Sequence, residues 1–188
     1  MLPVATLAQT PVPVPVKVQS QVQGQEQPQP GFTVSLERLQ QELAQRFPLR
    51  FPVQGLLDLD VRTPQIRLLP QQNRLGAEMS VEAAGPALRR SHTGALVLDF
   101  ALRYEPSDRS IRAYQIAFRN LRFPDLAPQA SDLLNAYGPV MAQELLQEVV
   151  LYRVRDQDLA LAENLGLQPG SITVTDKGLR IGLVPKPL

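Results

Sequence analysis

Leu75-Gly76-Ala77-Glu78-Met79-Ser80-Val81-Glu82-Ala83 is the stretch that decides the fold of this chain. Leu75, Ala77, Met79, Val81 and Ala83 fall on every second residue, with Glu78, Ser80 and Glu82 between them. Successive side chains of a strand point to opposite faces, so one face of this stretch is buried and the other is wet. Such alternation marks an antiparallel sheet covered on one side only.

The same pattern extends in both directions. Leu57, Leu59 and Val61 alternate with Asp58, Asp60 and Arg62, and Ile66 and Leu68 resume it after Thr63-Pro64. Leu96, Leu98, Phe100, Leu102 and Tyr104 form another such run, and the turn Glu105-Pro106-Ser107-Asp108-Arg109 joins it to a strand from Ile111 to Arg122. Ile172, Val174, the turn Asp176-Lys177-Gly178 and Leu179, Ile181, Leu183 predict a closing hairpin.

Two segments change period. Leu36, Leu39, Leu43 and Phe47 recur every three to four residues, which predicts an amphipathic helix over 33–47, capped by Thr33 or Ser35 and stopped by Pro48. Leu133, Leu134, Tyr137, Val140, Met141, Leu145 and Val149 predict a longer helix from about Ser131. Gly138-Pro139 predicts a kink in it, or two abutting helices. A short helix is expected over 156–164, with Asp156 and Asp158 favoured at its start by the macrodipole. The class is α+β: a single domain over 32–188.

Residues 1–31 read differently. They hold six of the 18 prolines and seven glutamines but only two charges, Lys17 and Glu26. Composition of this kind buries too little apolar surface to offset ordering entropy, so a disordered Pro/Gln-rich spacer is expected. Fully extended, it spans about 90 Å.

Charge and composition exclude several functions. Nineteen Lys and Arg against 18 Asp and Glu leave a formal charge of +1, without the basic footprint of a nucleic-acid binder. The chain has no cysteine, which removes thiolate metal sites, disulfides and cysteine nucleophiles. No apolar run reaches the length of a membrane span. There is no G-x-S-x-G, no G-x-x-x-x-G-K-[ST], no G-x-G-x-x-G and no H-E-x-x-H. His92 stands in the turn-rich stretch Leu88-Arg89-Arg90-Ser91-His92-Thr93-Gly94 and reads as an exposed loop histidine. Arg89 and Arg90 read as a solvated basic tip, with contact to anionic headgroups as the alternative. Asp58 and Asp60 share a solvent-facing side with Arg62 as countercharge. No catalytic residue, metal or cofactor is expected, and the protein is not read as an enzyme.

The order of the pieces resembles the DUF1439 (YceB-like) family of bacterial envelope lipoproteins. The stretches that carry the resemblance run from Phe32-Thr33-Val34-Ser35-Leu36 and Gln45-Arg46-Phe47-Pro48 through Leu56-Leu57-Asp58-Leu59-Asp60-Val61, Thr63-Pro64-Gln65-Ile66-Arg67-Leu68 with Pro70, and Asn73-Arg74-Leu75. They continue with Leu102-Arg103-Tyr104-Glu105-Pro106, Leu121-Arg122-Phe123-Pro124-Asp125-Leu126, Leu151-Tyr152-Arg153-Val154 and Asp176-Lys177-Gly178-Leu179. The resemblance implies a TULIP-like (BPI-like) fold, in which a strongly curved antiparallel sheet wraps a long helix of the C-terminal half. It also implies a periplasmic, non-enzymatic protein holding a lipid or other apolar molecule between helix and sheet. Members begin with a lipoprotein signal and an acylated cysteine. Here the cysteine is absent, so either an outer-membrane anchor lies upstream of Met1 or this member is unanchored.

The ligand lining expected on this reading is Leu59, Ala77, Met79, Leu98, Phe100, Leu134, Tyr137 and Met141. Small alanines beside the flexible Met79 thioether leave a gap for an acyl chain. From the pattern alone the same residues are ordinary core. The alternative function is an envelope scaffold with a solid core that binds a protein partner.

Overall fold

The computed structural model describes residues 30–53, 57–86, 88–146 and 149–186. The tail expected over 1–31 lies outside them except for Pro30 and Gly31. Gly31 already belongs to a strand, β1 (Gly31–Ser35), which pairs antiparallel with the last strand of the chain.

The elements follow as α1 (Leu36–Ala44), β2 (Leu49–Val53), β3 (Leu57–Val61), β4 (Gln65–Leu69), a single 3-10 turn at Pro70–Gln72, β5 (Arg74–Ala84), β6 (His92–Glu105) and β7 (Ser110–Arg122). Then come α2 (Pro128–Leu146), β8 (Val150–Arg153), α3 (Asp156–Asn164), β9 (Leu167–Thr175) and β10 (Gly178–Pro185). Strands dominate. They form a seven-stranded sheet ordered β2-β3-β5-β6-β7-β8, with β4 also on β5, and a three-stranded sheet ordered β1-β10-β9. Every pairing is antiparallel, and the larger sheet curls into a half-barrel.

The register of β5 on β6 follows from the alternation. Leu75, Ala77 and Met79 stand opposite Phe100, Leu98 and Leu96, so apolar faces apolar along the pair. The curl has a local cause further on. The pairing of β6 with β7 shifts register between Val97 and Leu98 and again between Asp99 and Ala101, and Gln115 adopts φ 48. Bulges of this kind bend a strand and increase its twist. Arg74 stabilises the bend by donating from Nη2 to the backbone carbonyls of Asp99 and Gln115, which lie on the two bulged strands.

Two expectations are corrected. The helix expected from Thr33 starts at Leu36, because Phe32 and Val34 alternate inward and pair with Ile181 and Leu179. Ser35 caps it, its hydroxyl accepting from Arg38 N at 3.3 Å. The helix ends at Ala44, before Phe47. α2 is a single element that starts at Pro128 and carries Pro139 inside it, where two abutting helices were one expectation. The expected closing hairpin forms, as β9 and β10, and is extended by β1 into a three-stranded sheet.

Leu39 and Leu43 of α1, Leu159 of α3, the inward residues of β3, β5, β6 and β7, and Val174, Leu179 and Ile181 of the smaller sheet share one hydrophobic core. α2 packs chiefly on β7 and leaves Tyr137 61% and Val140 58% exposed.

Candidate functional site

β3, β5, β6 and β7 present their inner faces side by side beneath α2. Leu59 and Val61 come from β3, Val81 from β5, Leu96 from β6, and Phe118 and Leu121 from β7. Gly138 and Ala142, four residues apart on α2, lie over them. Together they border a cavity of about 30 Å³, and every described residue of its lining is apolar in type.

Gly138 is required for this approach. A Cβ built there would stand 2.5 Å from Cε2 and 2.6 Å from Cζ of Phe118. The helix therefore rests on the Phe118 ring at the one position that has no side chain. One helical turn on, the buried Ala142 adds only a methyl group. Small residues over a row of larger ones let helix and sheet approach closely.

Of the expected lining residues whose side chains are described, Leu59 alone borders this cavity. Ala77, Met79, Leu98 and Phe100 are buried in the shared core. Leu134 is partly buried and packs against that core. Tyr137 points to solvent. The backbone of Met141 belongs to α2, but its side chain lies outside the described residues. Ala77 and Met79 stand in the sheet beside Leu98 and Leu96 and are buried among the residues of the shared core. The cavity forms further along β5, at Val81.

The charged candidates resolve into surface pairs. Asp60 is held by Arg50, 2.8 Å from Nε to Oδ1, and Arg62 pairs with Glu82 at 3.5 Å while its charge also acts on Asp60, as the countercharge expected of it. β2, which was not expected as a strand, brings Arg50 opposite Asp60. The hydrogen bond from Arg50 holds the Asp60 carboxyl below the usual carboxylate range. His92 is the first residue of β6, paired with Ala83 and half-buried, which corrects its reading as an exposed loop residue. Its Nδ1 is buried without a hydrogen-bond partner among the described residues. Arg89 and Arg90 are exposed, as expected of the tip. Asp156 and Asp158 occupy the first turn of α3. Among the described residues no three His, Cys, Asp or Glu converge as metal ligands, and no helix is long and apolar enough to cross a membrane.

No known protein family matches the chain. No curated protein matches it either.

Proposed function

We propose that this chain is a non-enzymatic periplasmic module, tethered to the outer membrane, that takes up a lipid or other apolar ligand between α2 and the curled sheet. The carrying observation is the cavity under α2, bordered by Leu59, Val61, Val81, Leu96, Phe118 and Leu121 with no polar residue among them. Apolar cavities of this kind stay dry and accept apolar guests. At about 30 Å³ the cavity holds no more than a water or two, so an acyl chain enters only as α2 shifts. The limited footing of α2, chiefly on β7, supports such a shift. On this reading α2 and the half-barrel are the two sides of a TULIP-like clamp. The resemblance of the quoted stretches to the DUF1439 lipoproteins supports the envelope placement and the tether.

A second reading, an envelope scaffold with a solid core, is favoured by one observation. The cavity is small, while Tyr137 and Val140 offer apolar surface outward. Native mass spectrometry after gentle purification, with displacement of a fluorescent fatty acid by phospholipid, separates the two. Bound lipid and saturable displacement are expected, weakened at least about tenfold by Ala142→Leu, which fills the cavity. Absence of both in the unmodified chain sinks the lipid reading and leaves the scaffold.

A further inference from the structure

The geometry points to a second ligand site, at the opposite end of β6, that takes a small amphiphilic monoanion such as a short-chain carboxylate. A pocket of about 200 Å³ opens where the β6–β7 hairpin meets α3, the start of β9 and the end of β10. Leu159, Leu167 and Pro169 form its apolar wall. Tyr104, Arg109, Glu163, Gln168 and Lys186 form its polar side. Eight residues of β6 separate Leu96, at the cavity under α2, from Tyr104, which at a strand rise of about 3.3 Å is roughly 26 Å along the strand. The two sites are therefore separate in place as well as in chemistry.

The polar side divides into groups already paired and groups that are not. Arg109 is fixed: Nη1 lies 2.8 Å from Asp156 and Nη2 3.2 Å from Glu163, and its carbonyl accepts from Val154 N at 2.9 Å. Its φ of 55 is one that side chains other than glycine and asparagine seldom adopt, so three partners hold a costly conformation in place. By contrast, the Tyr104 hydroxyl, the Gln168 amide and the Lys186 ammonium make no hydrogen bond or ion pair with any described residue. Burial pushes the Tyr104 phenol up, so it remains a protonated donor at neutral pH.

Charge and size select the ligand. Arg109 is already neutralised by the Asp156 and Glu163 carboxylates, so the positive charge left to be met at the pocket is that of Lys186, which pairs with no described residue. The ammonium, phenol and amide supply donors for a carboxylate. The volume is about seven waters at roughly 30 Å³ each, room for a short apolar body beside a charged head. A cation of the same shape would meet the unpaired Lys186 ammonium.

The test is a residue-resolved NMR titration of the full chain with hexanoate, using hexylammonium and hexanol as controls. Saturable hexanoate binding is expected, with a Kd on the order of 1 mM, given the small number of ligand atoms. Shifts should centre on Tyr104, Leu159 and Gln168, and the Phe118 and Leu121 signals should stay still. Lys186→Gln, an exposed substitution, should weaken binding about fivefold or more while leaving the rest of the spectrum unchanged. Tyr104→Phe should weaken it by a smaller factor. No saturation, equal shifts with hexanol or hexylammonium, or indifference to Lys186→Gln overturns the proposal. Shifts confined to Phe118 and Leu121 also overturn it, and would instead place hexanoate under α2.

Discussion

At the scale of single residues, three carboxamides do work that backbone pairing does elsewhere. Asn73 donates from Nδ2 to Ile172 O at 3.1 Å and accepts from Val174 N at 2.7 Å, joining the turn before β5 to the edge strand β9 of the other sheet. Gln40 makes the same pair of bonds to Pro64 O and Ile66 N at β4, and Asn135 accepts from Leu121 N at β7. Asn73 also has φ 50, which asparagine tolerates better than most residues. Asn73→Ala is expected to lower stability by about 1–2 kcal/mol from the lost hydrogen bonds, plus a part from backbone strain. Asn73→Gly should recover the strain part alone. Urea unfolding of both variants measures this, and equal midpoints would remove strain from the account. None of this was legible in sequence. Glutamine on the wet side of a helix looks the same whether it faces water or a strand edge, and the partners of Asn73 lie about a hundred residues away.

At the scale of elements, the strands with clean alternation, β3, β5 and β6, stand where the pattern places them. β2 and β8 were missed: one contains Pro52, the other has four residues, and neither is long enough to show a period. The bulge at Gln115 interrupts the alternation of β7, so the inward direction of Phe118 could not be counted from Ile111. This hid the cavity. The expected site was centred on Ala77 and Met79, whereas the opening lies at Val81 and under Gly138, a residue read from sequence only as a helix breaker. Alanine at Gly138 tests that account. In a free helix the change stabilises by about 1 kcal/mol, but here the new Cβ meets the Phe118 ring, and a net loss of about 1–3 kcal/mol is expected. In a double-mutant cycle Phe118→Ala should cancel most of the loss due to Gly138→Ala. Additive effects would show that helix and ring do not touch.

For the whole molecule, the shared core ties both sheets and α1 together, so charge changes at the surface register as global stability. Two carboxylates set the acid limb. Asp60 is held low by Arg50, and Asp108 by the Ser110 hydroxyl first and Arg112 second. Each releases its proton more readily in the folded chain than in the unfolded one, where the ordinary value is about 3.9. Their stabilisation is therefore complete above that value and is lost as pH falls through the lower folded values. The urea midpoint should stay level from about pH 7 to 5 and fall below about pH 4. Asp108→Asn should lower the midpoint at neutral pH and converge on the parent chain in acid. A gap that stays constant with pH would exclude Asp108 as a source of the acid limb.

The open flank of β2 bears on how this protein behaves in a crowded compartment. An exposed strand edge is a template on which a neighbouring chain can continue the sheet, and from there fibrils grow. β2 ends the order of the larger sheet, but it carries Pro52, which has no N–H to offer, and the charged Arg50. Together with the carboxamides capping β4, β7 and β9, that flank favours colloidal solubility. Mutations that restore a donor at Pro52 or free an amide-capped edge would be felt first as aggregation during concentration or storage.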